Sequence, residues 1–250
     1  MSELNTKISA DFTWSVVSFT DTGKVRKINE DDFMANNAQA HWAVADGMGG
    51  HDAGDVASQA ISKALYKIDQ TAEFGVFVDR VEDCLIEVNQ NLRTLAGGGD
   101  RVIGSTVAGL AIQQQYALYY WVGDSRVYRF RNKTLKQLSI DHTYTQELVD
   151  QGKISIAEVA NHPDKNVITR AVGADEHLFV DFEIEKIKAN DVYFICSDGV
   201  EKEMDDKQVE QILVEHQDNM ADAGKIILDT VIAKGARDNV TFILVSLQQQ

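Results

Sequence analysis

Apolar residues alternate with polar ones in several short segments, which predicts a chain rich in β-strands. Residues 12–20 alternate weakly and are rich in Thr, Val, Trp and Phe, which favours a strand. Similar patterns predict strands at residues 33–36, 40–45, 105–112, 116–122, 127–130, 135–138, 179–184, 191–196 and 240–247. Because many of these strands follow one another closely, we expect antiparallel pairing.

Apolar residues recur at helical spacing in two pairs of segments. They predict helices at residues 52–69, 74–95, 208–215 and 220–234, and a more polar helical region at residues 141–160. Strands and helices therefore occur in blocks, without the strand-helix alternation of a parallel sheet. This order predicts an α+β fold in which helices pack outside antiparallel sheets.

The net negative charge of the chain disfavours some classes of binding partner. The 250 residues include 24 Lys and Arg against 39 Asp and Glu, a formal net charge of −15. Nucleic acids and anionic membranes are unfavourable partners for such a chain. The acidity favours solubility, and bound divalent cations would offset part of it.

The compartment expected from the sequence is the cytoplasm. No apolar run is long enough to span a bilayer, and residues 1–7 lack the pattern of a signal peptide. The two cysteines, Cys84 and Cys196, fit buried free thiols better than a single disulfide, which is also compatible with the sequence.

Acidic residues stand at the ends of several apolar strands. Asp46, Asp124, Asp198 and Asp238 have this position, and Glu30 and Asp31 lie in a polar segment predicted as a loop. Clustered carboxylates repel one another and need cations, and oxygen ligands without His or Cys indicate Mg²⁺ or Mn²⁺. Asp46 is followed by a predicted glycine-rich turn, 47–50, where a ligand could approach main-chain oxygens. Two such ions sharing a carboxylate would suit hydrolysis of phosphate esters.

Eight short motifs occur in the order found in one enzyme family. They are 23–31 (GKVRKINED), 44–50 (VADGMGG), 104–106 (GST), 123–126 (GDSR), 141–143 (DHT), 168–173 (ITRAVG), 196–199 (CSDG) and 237–241 (RDNVT). With these motifs the chain resembles the metal-dependent serine/threonine protein phosphatases of type 2C, in their compact bacterial form. The resemblance implies one catalytic domain over residues 1–250, built as a four-layer αββα sandwich with a flap subdomain at about residues 141–175. For the flap, substrate gating and a surface insertion without a direct role are both open.

The resemblance also implies roles for individual residues. Asp46 would bridge two Mn²⁺ or Mg²⁺ ions, and the Gly47 carbonyl would bind one of them. Asp198 and Asp238 would complete the coordination of the second ion. Glu30 and Asp31 would act through bound waters, and Arg26 would hold the substrate phosphate. Asp124 and Asp198 resemble a pair that binds a third metal. Asn239 is expected to fix the turn at Asp238.

The proton donor for the leaving group stays open. Eukaryotic relatives place a histidine directly after the Asp-Gly pair, whereas this chain has Met48, as bacterial relatives do. An alkoxide leaving group needs a proton, which His51 or a metal-bound water would supply. Alternatively, His51 is a loop residue that caps the next helix or faces solvent.

The expected function is hydrolysis of phosphoserine and phosphothreonine in proteins, opposing a bacterial serine/threonine kinase. Two alternatives are a catalytically silent domain that binds phosphoproteins and a phosphatase of small phosphate esters. We expect a monomer whose partners are phosphorylated proteins and the cognate kinase, without nucleic acid or membrane.

Overall fold

The computed structural model describes residues 6–9, 12–49, 53–70, 73–97 and 101–249. The strands are β1 (Thr6–Ser9), β2 (Phe12–Asp21), β3 (Asp31–Asn36), β4 (His41–Gly49), β5 (Ile103–Ser105), β6 (Val107–Gln113), β7 (Tyr116–Val122), β8 (Arg126–Arg131), β9 (Thr134–Gln137), β10 (Asp181–Lys186), β11 (Val192–Cys196) and β12 (Val240–Gln249). The helices are α1 (Gly54–Leu65), α2 (Phe74–Ala96), α3 (Tyr144–Asp150), α4 (Ile156–Val159), α5 (Asp198–Glu201), α6 (Asp206–Glu215) and α7 (Met220–Lys234). A single 3-10 turn, Asn37–Gln39, joins β3 to β4 within these ranges.

The strands form two antiparallel sheets between two layers of helices. One sheet has the order β1-β2-β12-β11-β8-β9, and the other has the order β10-β7-β6-β4-β3 with β5 paired to β4. Helices α1 and α2 cover the second sheet, and α6 and α7 cover the first. The expected αββα sandwich is therefore confirmed. Within the described ranges, no helix combines the length and the apolar character that a membrane span requires.

Three apolar clusters fill the spaces between the four layers. The cluster between the sheets includes Trp14, Trp42, Val44, Tyr193, Ile195 and Ile243. The outer clusters include Ile61, Leu85 and Leu118 beneath α1 and α2, and Phe194, Ile227 and Phe242 beneath α6 and α7. Complete burial of one such aliphatic or Phe side chain stabilises a fold by about 1.5–3 kcal/mol. These clusters therefore fix the spacing of the sheets and hold the strand ends in place.

The side chains that face the opposite sheet alternate along each strand, and this alternation places carboxylates at one end of the sandwich. On β4, Trp42 and Val44 lie in the cluster between the sheets, so Asp46 is the next inward position. On β3, Phe33 packs against the same cluster, so Asp31 also faces inward. The core between the sheets therefore ends in charged groups.

The structure corrects several details of the sequence prediction. The glycine-rich segment after Asp46 is not a turn up to residue 49, because Gly47–Gly49 continue β4 and pair with β5. Asp31 belongs to β3 and not to a loop. The strand predicted at residues 105–112 is divided at Thr106, and the one predicted at residues 179–184 lies at Asp181–Lys186. The short helix α5 was not predicted.

Candidate active site

Aspartates from both sheets converge at one end of the sandwich. They are Asp31 at the start of β3, Asp46 in β4, Asp124 between β7 and β8, Asp198 at the start of α5, and Asp238 just before β12. Their charges act on one another, because Asp31, Asp124 and Asp198 each raise the pKa of Asp46. The structure thus brings together the aspartates that were singled out from the sequence.

Asp31 is a buried carboxylate with one satisfied oxygen. Ser197 donates a hydrogen bond from Oγ to Asp31 Oδ2 at 2.8 Å. Oδ1 is buried and has no hydrogen-bond partner in the part of the chain that the structure describes. Burial raises the pKa of Asp31 to about 7, although the hydrogen bond from Ser197 opposes the shift.

Ser105 of β5 and Thr106, which lies between β5 and β6, hold the main chain of Asp46. The Asp46 carbonyl accepts hydrogen bonds from Ser105 Oγ at 2.9 Å and from Thr106 N at 2.9 Å. The Asp46 amide donates to Thr106 Oγ1 at 3.1 Å. Thr106 Oγ1 in turn lies 2.6 Å from Ser125 Oγ, next to Asp124. The Gly-Ser-Thr and Gly-Asp-Ser-Arg motifs therefore position two of the aspartates relative to each other.

The Asp46 side chain is half-buried in a strongly negative environment. Loss of hydration is the main cause that raises its pKa well above the ordinary value, and the charges of Asp31, Asp198 and Asp124 add to it. The Lys202 ammonium acts in the opposite direction. A cation placed among these groups would favour their charged forms.

Asp124 and Asp198 each carry a buried oxygen without a partner among the described residues, Oδ1 in both cases. Burial, together with the charges of Asp198 and Asp141, raises the pKa of Asp124 to about 7. An unpartnered carboxylate oxygen that is shielded from water costs free energy unless a cation binds it. Both side chains therefore have a carboxylate oxygen available to a cation.

Asp238 already has two cations as partners. Arg26 Nε lies 2.8 Å from Asp238 Oδ1, and Arg26 Nη2 donates to Oδ2 at 3.0 Å. Lys202 Nζ lies 2.6 Å from Asp238 Oδ2 and also forms an ion pair with Asp198 Oδ2. Burial opposes the shift, but Lys202 and Arg26 hold the pKa of Asp238 below its ordinary value.

The donor set fits a hard divalent cation. Oxygen-only ligands suit Mg²⁺ and Mn²⁺, and the unpartnered Oδ1 atoms of Asp31, Asp124 and Asp198 are available for them. Within the described ranges, no three His, Cys, Asp or Glu side chains are already arranged to hold an ion. The ammonium group of Lys202 lies between the carboxylates of Asp198 and Asp238.

Gly47 lies in a tightly packed crossing of three segments. Its amide donates to the Glu30 carbonyl at 3.1 Å. A Cβ atom at this position would overlap the carbonyl of Gly54 and lie 2.5 Å from the Glu30 carbonyl. The glycine is therefore needed for close approach of the main chains and not for a sharp bend. Glu30 Oε1 accepts a hydrogen bond at 3.2 Å from the amide of Gly54, the first residue of α1.

Asn239 holds the loop that carries Arg26 and Glu30. Its Oδ1 accepts a hydrogen bond from Glu30 N at 2.8 Å, and its Nδ2 donates to the carbonyls of Thr22 at 2.9 Å and Ile28 at 3.0 Å. Its own amide bonds to Asp238 Oδ1 at 3.0 Å. Asn239 therefore positions the loop between β2 and β3 as well as the turn at Asp238.

Arg126 connects the site to the start of the segment predicted as a flap, and its role was missed from the sequence. It binds both oxygens of Asp141, with Nε–Oδ1 at 2.9 Å and Nη2–Oδ2 at 2.6 Å. Its Nη1 donates to Tyr128 Oη at 3.0 Å and forms an ion pair with Glu201 in α5. The far end of the segment is also fixed, because Val172 exchanges two main-chain hydrogen bonds with Ser105, both at 2.9 Å.

The histidines have different positions relative to the site. His142 accepts a hydrogen bond from Gly123 N at 3.1 Å on Nδ1, and its Nε2 lies 2.9 Å from Asp181 Oδ2. These contacts give His142 a structural role. Met48 lies in β4 opposite Gly104. His51 lies outside the described residues, so its part in proton donation stays a prediction.

Comparison with known proteins gives consistent matches along the chain. A family model described as "Protein phosphatase 2C" matches residues 24–234. The "Serine/threonine phosphatase stp" of Listeria monocytogenes is 32% identical over 235 residues, which cover 90% of this chain and 93% of the relative.

Solved structures show the same architecture. PppA of Pseudomonas aeruginosa, described as a key regulatory component of T6SS, superposes with a TM-score of 0.85 at 34% identity over 95% of this chain and 98% of its own. The catalytic domain of the serine/threonine protein phosphatase PstP, in complex with two manganese ions, has a TM-score of 0.83 at 27% identity over 95% of this chain and 99% of its own.

Proposed function

Because this chain belongs to the protein phosphatase 2C family, we propose that it hydrolyses phosphoserine and phosphothreonine in proteins with Mn²⁺ or Mg²⁺ as cofactor. The observation that carries the proposal is the convergence of the aspartates. Asp31, Asp124 and Asp198 each have a buried oxygen that has no hydrogen-bond partner among the residues that the structure describes. The manganese ions bound to the PstP catalytic domain support the choice of metal.

The carboxylates divide into direct ligands and groups that act through water. Asp46, the carbonyl of Gly47, Asp198 and Asp238 would hold two ions. Glu30 and Asp31 would act through bound waters, and Asp124 would join Asp198 in holding a third ion. When bound, the ions supply Lewis acidity and a water molecule that is activated near neutral pH. Ser197, Thr106 and Asn239 hold Asp31, Asp46 and the Glu30 loop in place for this purpose.

Arg26 binds the phosphate group of the substrate. Its side chain is 49% exposed, at the rim of the carboxylate cluster, and its fork binds both oxygens of Asp238. A guanidinium that matches a carboxylate in this way also matches two oxygens of a phosphate. For the proton that the leaving alkoxide requires, His51 and a metal-bound water stay the two candidates.

Hydrolysis of a phosphothreonine peptide in the presence of Mn²⁺ tests this function. We expect Asp46→Asn and Asp238→Asn to lower the rate at least on the order of 100-fold, the upper range for loss of even an outer-shell partner of a metal ligand. Asp229→Asn, which alters an exposed carboxylate on α7, is the control and leaves the rate unchanged. Full activity in both site variants would refute the two-metal scheme.

The same assay separates the alternatives. A phosphatase of small esters would hydrolyse them faster than the phosphopeptide when both are compared at equal Mn²⁺ concentration. A silent binding domain would retain the phosphopeptide without turnover at saturating Mn²⁺.

The cellular setting forms a further part of the proposal. The protein opposes a serine/threonine kinase, acts as a monomer and works in the cytoplasm. The free thiols of Cys84 and Cys196 support a reducing compartment. Phosphoproteomics of a strain that lacks the protein would identify substrates shared with a kinase. Light scattering would measure the mass in solution, and cell fractionation would locate the protein.

A further inference from the structure

One lysine occupies the centre of the acidic site. The ammonium of Lys202 contacts Asp198 Oδ2 and lies 2.6 Å from Asp238 Oδ2, so it joins the start of α5 to the turn that precedes β12. The same charge acts on Asp46 and Asp124. Lys202 therefore interacts with four carboxylates that the proposed function assigns to metal ions.

The position of this ammonium group is set by the main chain around it. Lys202 follows α5 directly, and its amide donates to the Asp198 carbonyl at 3.0 Å. With its side chain one helical turn from Asp198, the lysine is in the favourable spacing for an ion pair. Its carbonyl accepts a hydrogen bond at 2.8 Å from Arg237 Nη2, and Arg237 also binds Glu203 at 2.8 Å.

These main-chain contacts do not depend on the ammonium group of Lys202. The bonds of Arg237 to the Lys202 carbonyl and to Glu203 connect α5 to the segment before Asp238 without using the lysine side chain. Removal of the ammonium group alone therefore leaves the two ligand-bearing segments joined. The charge can be tested without dismantling the site.

We propose that Lys202 is a tethered counter-cation that competes directly with divalent ions for Asp198 and Asp238. This inference rests on the proposed metal-dependent function. The ammonium group occupies the Oδ2 atoms of both carboxylates, so a divalent ion that uses these atoms must displace it. The lysine thus weakens metal binding, and it also limits repulsion between the carboxylates whenever metal is scarce.

Calorimetric titration with Mn²⁺ after removal of metal by a chelator tests the competition. We expect Lys202→Met to lower the apparent Kd for Mn²⁺ on the order of tenfold, because a positive charge at a few ångströms is removed. Lys202→Arg keeps the positive charge, so we expect its Kd for Mn²⁺ to stay within about threefold of the wild-type value. A threefold change in Kd corresponds to about half the free energy of a tenfold change.

Lys225 offers a matched control. It forms the same i,i+4 ion pair with an aspartate, Asp229, at 2.7 Å, but it lies exposed on α7. Lys225→Met should leave the Kd for Mn²⁺ unchanged. In chelator, Lys202→Met should melt at a lower temperature than Lys225→Met, and excess Mn²⁺ should remove or reverse this difference.

The outcomes distinguish this inference from the function on which it rests. If Lys202→Met binds Mn²⁺ no more tightly than the wild type, or more weakly, the competition is wrong although the phosphatase assignment stands. If the wild-type protein binds no Mn²⁺, the metal-dependent function fails and the competition fails with it.

Discussion

Asp31 lies directly opposite Asp46 in the β3–β4 ladder. Both carboxylates occupy inward positions at the end of the inter-sheet core, where little water reaches them. Like charges placed directly opposite each other in a sheet are destabilising. The strand pairing that builds the site thus opposes the stability of the fold until a cation is bound.

Binding of Mn²⁺ should therefore raise the thermal stability. At a concentration 100 times the Kd, one bound ion would add about 2.7 kcal/mol to the free energy of unfolding. For a chain of this length, that corresponds to an increase in Tm of roughly 5–10 °C. Calorimetry in chelator and in excess Mn²⁺ measures the difference, and an unchanged Tm would contradict the site.

Replacement of one member of the pair should change this response. Asp31→Asn removes one negative charge, so we expect a higher Tm in chelator than for the wild type. The increase in Tm on addition of Mn²⁺ should be smaller. Asp229→Asn, on the exposed face of α7, should leave both values as in the wild type.

Substitution of Gly47 should disrupt the site through packing alone. Gly47→Ala places a Cβ atom against the carbonyls of Gly54 and Glu30, and overpacking of this kind costs about 1–3 kcal/mol. We expect this loss in chemical denaturation, together with weaker Mn²⁺ binding. Gly75→Ala is the matched control, because a Cβ atom in α2 at that position meets no neighbour. It should stabilise the protein by about 0.4–1 kcal/mol.

The link between Arg126 and Asp141 should affect turnover as well as stability. Arg126→Lys loses the two-pronged contact with Asp141 but keeps a positive charge. Removal of one partner of a buried ion pair costs about 3–5 kcal/mol of stability. We therefore expect Arg126→Lys to lower the free energy of unfolding by less than this amount.

Arg131→Lys is the control, because it breaks a comparable two-pronged contact with Asp191, in which both distances are 2.6 Å. Arg131 lies at the end of β8 away from the active-site aspartates. Both variants should unfold at lower denaturant concentration, but only Arg126→Lys should lower kcat for the phosphopeptide. Equal kcat values in the two variants would contradict a functional link between the segment after Asp141 and the active site.

His41 should make stability fall in mild acid. It is fully buried against Tyr120, with Nε2 2.7 Å from the Tyr120 hydroxyl, and burial lowers the pKa of His41 to about 3. Between the ordinary pKa of 6.5 and this value the unfolded chain binds a proton that the native state does not. The free energy of unfolding should therefore drop by about 2 kcal/mol from pH 6.5 to pH 5 on account of this residue.

Denaturant titrations at several pH values check this assignment. His41→Gln cannot titrate and should lose correspondingly less stability over the same range. His177→Gln changes an exposed histidine and should retain the wild-type slope. A His41→Gln slope equal to that of the wild type would show that His41 does not stay neutral.

Local pattern was sufficient to predict helices outside antiparallel sheets and to identify the converging aspartates, whereas the four-layer αββα arrangement was implied by the family resemblance. Alternation of apolar residues defined most strands, and an acidic residue after an apolar run is a local signal. The pattern did not reveal that β3 begins at Asp31 or that β4 continues beyond Asp46, because strand pairing decides both.

Groups that position the aspartates were harder to predict because they are distant in sequence. Thr106 is 60 positions from the Asp46 amide that it binds, and Asn239 is 209 positions from Glu30. A sequence shows that these polar residues exist but not which main-chain groups they satisfy. Lys202 was missed for a different reason, since a lysine after an Asp-Gly pair is indistinguishable from an ordinary surface residue.

The inward alternation on β4 limits how the length of this chain can vary. Trp42, Val44 and Asp46 share one face of the strand, so a one-residue deletion between Trp42 and Asp46 would point the carboxylate toward α1. Insertions and deletions are therefore tolerable near the site only in pairs of residues. The turn at Asn37–Gln39 lies at the opposite end of the β3–β4 hairpin, where a change in length does not alter the face of β4 on which Asp46 lies.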